Sequence, residues 1–140
     1  MFDVINNPEH YAKASTTCSI KYEPYELAEL YNFSLGCAIK YILRAPYKGH
    51  FVEDFGKARW FLNRIKEQFD KSESVLVMAL PSNKSLYIFD AFRKSNVYIH
   101  ALINSKGSIT PESVRTTISL IDCYISEHQD KDKENKDESI

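Results

Sequence analysis

Eight polar side chains between Phe33 and Ile65 pose the chemical question of this chain: Lys40, Tyr41, Arg44, Lys48, His50, Asp54, Lys57 and Arg59. Five of them are cationic at neutral pH. Lys40 and Arg44 are four residues apart, so on a helix they share one face and repel unless an acid or an anion lies between them. Cations gathered on adjacent helix faces suit an anionic ligand, above all a phosphate, because charge-assisted bonds to phosphate oxygens are the strong ones. The plainer reading is a solvated face with Glu53 or Asp54 as a cross-helix partner. Tyr41 falls at the boundary between faces, where it serves as a core ring or as a stacking platform.

Two helices must position this set. Ser34 reads as the cap of the first, Leu35 to Arg44, in which Leu35, Ile39, Ile42 and Leu43 fall on one face. Pro46 is expected to end it, and Tyr47 to His50 make the connection. The second starts near Val52 and runs to about Phe69, with Glu53 and Asp54 in its first turn and Phe55, Ala58, Phe61 or Leu62, and Ile65 as its buried stripe. So short a connection predicts an antiparallel pair, with Arg44 and Lys48 near Asp54 and Lys57.

A shorter helix is expected from Pro24 to Tyr31. Beyond residue 72, SVLVMAL (74–80) and the runs Leu86–Phe92 and Val97–Ile103 are too short for periodicity to separate helix from strand. The last two make either a β-hairpin or two short helices, and their uneven alternation favours helix. Thr110 and Pro111 open a final helix, whose apolar positions Val114, Ile118, Ile121 and Ile125 carry it to about Glu127. The expected fold is therefore mainly α: one compact helical domain over residues 1–126, built around the antiparallel pair. Residues 127–140 hold six acids and three lysines with almost no apolar side chain, which reads as a disordered tail.

Composition narrows the partners. Without that tail the body has 15 Lys and Arg against 13 Asp and Glu, too few cations for the broad basic face of a general nucleic-acid binder. No segment approaches the ~20 apolar residues of a membrane span, and the N-terminus has neither a basic start nor an apolar run. Cys18, Cys37 and Cys123 have no metal-ligand spacing and read as small buried hydrophobes in a reducing cytosol. The histidines have none either. Glu23, Glu26 and Glu29 resemble the carboxylate ladder of all-helical nucleoside triphosphate pyrophosphatases, but no second E-x-x-D pair completes it, so no metal ligand is assigned. The chain has no P-loop and no nucleophile elbow.

The run Gly36 to Ala45, followed by Lys48 and by Glu53 to Ala58, resembles a small bacteriophage nucleotide kinase-like family. Its pattern is a His-Tyr pair, an acidic helix, G-N-A-I-K-Y-I-x-R-A-G-x-K and E-D-L-x-K-A-x-x-Y-L. His10 and Tyr11 supply the pair, while Lys40, Tyr41, Arg44, Lys48, Asp54 and Lys57 match position by position across about residues 8–65. Cys37 stands where the family has Asn, Pro46 where it has Gly, and Phe55 where it has Leu. The resemblance implies a phage protein of the bacterial cytosol that handles nucleotides. Lys40, Arg44 and Lys57 would neutralise phosphate, Asp54 would orient them or hold a metal, and His10 and Tyr11 would close over the ligand.

Three functions follow as expectations. One is a nucleoside monophosphate kinase without a P-loop, with Mg2+ accompanying the nucleotide; such chemistry is mostly positioning and charge stabilisation. The second is a non-catalytic counter-defence protein that sequesters a nucleotide signal, in a pocket shared between subunits of a homo-oligomer. The third docks on a host defence protein and inhibits it.

Overall fold

The computed structural model describes residues 22–71 and 82–138, and within them the side chains of 47, 48 and 129–138 lie outside the description. Among the described residues the chain forms helices and no strands. In chain order these are α1 (Pro24–Ala28), α2 (Phe33–Lys48), α3 (Phe51–Asp70), α4 (Asn83–Ser95), α5 (Val97–Leu102) and α6 (Pro111–Glu138). This is the mainly α architecture expected from the sequence. The two ambiguous apolar runs are helices, each opened by a polar cap. Ser82 accepts from the Ser85 amide at 3.1 Å, and Asn96 accepts from the Tyr98 and Ile99 amides at 3.0 and 3.1 Å. Those caps satisfy amides that a helix start otherwise leaves orphaned. The segment 74–80 lies outside the described residues.

Several boundaries differ from expectation. The cap of α2 is Asn32, whose side chain accepts from the Leu35 amide at 2.9 Å, so Ser34 is already inside the helix. Pro46 does not end α2, which continues to Lys48. A proline near the C-terminal end removes only one late hydrogen bond, and the stop is supplied by Gly49, whose φ of 71° is the left-handed geometry glycine adopts freely. The first helix closes at Ala28 rather than Tyr31, because the Tyr31 ring turns into the core and its hydroxyl donates to the Gly107 carbonyl at 2.9 Å. The last helix runs past Glu127 to Glu138 where composition pointed to a disordered tail; no glycine or proline after Pro111 interrupts it.

α2 and α3 pack along their lengths, α6 covers the other side of α3, and α1 lies across the start of α2. α4 and α5 join α1 to α6 and close the second half. One core runs through all six: Leu27, Leu35, Ile39, Leu62, Phe89 and Ile121 are at or within 1% of full burial, each contributing about 1.5–3 kcal/mol by leaving water. At Gly36 a Cβ would lie 2.7 Å from the Ala28 carbonyl oxygen, so a side chain there would push α1 off α2.

Candidate functional site

The antiparallel pairing of α2 and α3 decides which polar groups meet. Arg44, late in α2, faces Asp54, early in α3; Tyr41 stacks on Phe61 with ring centres 6.1 Å apart. Phe33, at the start of α2, meets Phe61 edge-on at 6.4 Å. The predicted register is therefore the one adopted.

Two ammonium groups converge on Tyr41. Lys40 Nζ lies 4.7 Å from the ring centre and Lys57 Nζ 5.5 Å, so cations from both helices share one aromatic ring. The attraction to the ring quadrupole offsets part of their mutual repulsion. Glu53, one helical turn before Lys57, holds it at 3.5 Å, while no ion pair involves Lys40 among the described residues.

Arg44 and Asp54 behave differently from a free cation and a free carboxylate. Asp54 is 2% exposed, and its Oδ2 lies 3.8 Å from Arg44 Nε. That is beyond hydrogen-bond length, and neither atom has a hydrogen-bond partner. The two charges oppose each other inside the helix pair. Arg44 is thereby committed largely to Asp54 rather than presented to solvent. Lys48 lies in the last turn of α2, its side chain outside the description; His10 and Tyr11 lie outside the described residues altogether.

Beside Lys40 opens a groove between α1 and α2 of about 320 Å3, lined by Tyr25, Glu29, Phe33, Gly36, Cys37 and Lys40 among others. The missing side chain at Gly36 brings α1 close at this point. Its two ends differ in charge. At the α1 end stand Glu29 and Tyr25, whose phenol is pushed above its ordinary range by Glu23 first, then by burial, Glu26 and Glu29. At the other end stands Lys40. The groove itself had no signal in the sequence beyond the small residue at 36, because it forms from two helices whose angle the sequence does not state. Cys37 is half-buried in its wall, and Cys123 is exposed on α6, not buried as expected. Cys123 lies between Ile121 and Ile125, both buried, and so falls on the opposite side of the helix. Among the described residues no group of three or more His, Cys, Asp or Glu stands where it can hold a metal.

Residues 5–63 match a protein family described as of unknown function, DUF3310. The match includes every side chain that converges on Tyr41 and both members of the buried ion pair. No curated protein and no solved structure shows significant similarity to the chain. No helix among the described residues is long and apolar enough to cross a membrane.

Proposed function

We propose that the protein binds a phosphorylated nucleotide in the α1–α2 groove, the base between its aromatic walls and the phosphate at Lys40, with Lys57 beyond. The observation that carries this reading is the position of Lys40. It lines an apolar, aromatic groove while its ammonium and that of Lys57 share the Tyr41 ring. Glu29 at the far end offers an acceptor for the exocyclic amine of a base. The motif resemblance to bacteriophage nucleotide kinase-like proteins supports the same ligand class.

Magnitudes say which part of the groove sets affinity. Two charge-assisted contacts at about 2 kcal/mol each give about 4 kcal/mol, and association costs at least about 4 kcal/mol. Cations alone therefore yield no useful affinity, and the aromatic walls must supply the rest. Within this reading a binder that sequesters its nucleotide is favoured over a kinase. Asp54 and Glu53, the acids nearest the cations, are engaged by Arg44 and Lys57.

The test is calorimetric titration with nucleoside mono- and triphosphates, followed by incubation with ATP, Mg2+ and a deoxynucleoside monophosphate. Binding without product supports sequestration; formation of a diphosphate supports the kinase. Lys40→Ala should weaken binding at least tenfold, as the loss of a contact worth about 1.5–3 kcal/mol requires. Tyr25→Ala should weaken it similarly, and neither change should lower the melting temperature. Unaltered affinity in both variants removes the groove from the function.

A further inference from the structure

A second surface runs along the exposed side of α3 from Lys57 towards its C-terminal end and has a composition of its own. Trp60 is 56% exposed and sits edge-on to Phe61 with ring centres 5.0 Å apart. The guanidinium carbon of Arg64 lies 5.2 Å over the Trp60 ring. An indole packed between a neighbouring ring edge and a guanidinium is held in place while most of its area remains in solvent. Next to it, Arg64 and Lys71 line a polar hollow of about 230 Å3 with Ser34, Glu67 and Gln68. Neither cation is in an ion pair among the described residues.

The spacing extends the feature. Lys57, Arg64 and Lys71 recur every seventh residue, which places them along one side of α3 and its C-cap. At 1.5 Å per residue the stripe is about 21 Å long, longer than a mononucleotide. A chain with a net charge of −1 has no broad basic face, yet a local row of cations beside a fixed aromatic platform is what a single strand recognises: phosphates track the row and bases stack on the ring. Trp60 continues through Phe61 to the exposed Phe33, but it is bordered along α3 by Lys57, Arg64 and Glu67, and that row of charge favours a phosphate-bearing partner.

We propose that this side of α3 binds single-stranded nucleic acid, with a base stacked on Trp60 and successive phosphates at Lys57, Arg64 and Lys71. The site shares Lys57 with the nucleotide site but lies outside the groove at Lys40, and it does not depend on a nucleotide binding there.

Trp60 is the only tryptophan in the chain, so its fluorescence reports on this surface alone. The full-length protein is titrated with octathymidylate, with an abasic phosphodiester octamer, with thymidine monophosphate and with phosphatidylserine vesicles. Octathymidylate should quench Trp60 saturably, and its affinity should fall about 20-fold between 50 and 200 mM salt, the slope for three phosphates on a single strand. Arg64→Ala with Lys71→Ala should weaken it at least tenfold and flatten that slope, leaving the melting temperature unchanged. By anisotropy of a labelled octamer, Trp60→Ala should lose about tenfold, whereas the abasic octamer should bind wild type and Trp60→Ala alike. No saturable response to octathymidylate up to millimolar concentration overturns the proposal. So does equal binding of both octamers to both proteins, a response to vesicles alone, or an emission change that follows protein concentration and not the oligonucleotide. Because Lys40→Ala leaves this surface intact, it should lose the mononucleotide and keep the octamer.

Discussion

At the scale of single residues, Arg44 and Asp54 illustrate how a cluster of charges divides its labour. The family resemblance implied the same role, phosphate neutralisation, for Lys40, Arg44 and Lys57. The fold separates them: Lys40 faces a groove, Lys57 shares its ring but is held by Glu53, and Arg44 opposes a carboxylate with almost no access to water. Removing Arg44 leaves a buried charge unpaired, a more costly change than removing both partners. Because the Arg44 side chain is 25% exposed and the pair is longer than a hydrogen bond, the penalty is put below that of a fully buried pair. Arg44→Ala should cost about 1–3 kcal/mol in urea unfolding. Arg44→Met combined with Asp54→Leu should recover most of that loss. A double variant that loses the sum of the two single losses would show that the two charges do not depend on each other. Any fall in nucleotide affinity in Arg44→Ala must then be read against its stability, whereas Lys40→Ala is free of that ambiguity.

At the scale of elements, two small residues control how α2 meets its neighbours. Gly36→Ala places a methyl group 2.7 Å from a backbone oxygen of α1. Backbone cannot swing aside as a flexible side chain can, so the variant should lose about 1–3 kcal/mol and weaken ligand binding by moving one wall of the groove. A variant of wild-type stability and affinity would show that α1 yields without consequence. Pro46 lies inside α2, and Pro46→Ala restores an amide to the last turn. It should raise stability by about 1 kcal/mol, less than the ~3 kcal/mol of a mid-helix proline because few hydrogen bonds remain beyond it. The same residues mark what the sequence disclosed. The apolar stripe Leu35, Ile39, Ile42 and the acids at the start of α3 declared both helices, and the short connection declared their antiparallel pairing. Their ends were harder. A proline rule that holds within helix interiors says little about the final turn, and two adjacent candidate caps, Asn32 and Ser34, look alike until the backbone selects one. The Tyr41 convergence was foreseeable from register. The groove was not, since it depends on how closely α1 approaches α2, and in the sequence that appears only as a single glycine.

At the scale of the whole molecule, the second half was the least legible part, because short apolar runs carry no period and their helicity is decided by caps and by burial of Phe89, Phe92, Ile99 and Leu102. What ties that half to the first is a contact across 76 residues. The Tyr31 hydroxyl donates to the Gly107 carbonyl at 2.9 Å, while Phe89 packs against the Tyr31 ring with centres 6.1 Å apart. Gly107 makes this possible: its φ is 83°, and a Cβ would fall inside the Phe89 ring. Burial pushes the Tyr31 phenol well above its ordinary range. The folded state therefore holds the proton more tightly than the unfolded chain. The resulting stability is fully present below the unfolded value of about 10 and is lost as pH rises above it, at about 1.4 kcal/mol per pH unit until the folded group itself ionises. Tyr31→Phe removes both the hydrogen bond and the titration. At pH 8 it should be less stable than wild type by about 1 kcal/mol, and between pH 10 and 11 the gap should close and reverse, since the phenylalanine protein has no proton to lose at that position. Every other ionisable group is the same in both proteins and cancels in the difference. Urea unfolding of the pair at pH 8, 9, 10 and 11 measures it. Curves that stay parallel through pH 11 would mean that Tyr31 is not closed off from water, and that the two halves are not locked together at this point.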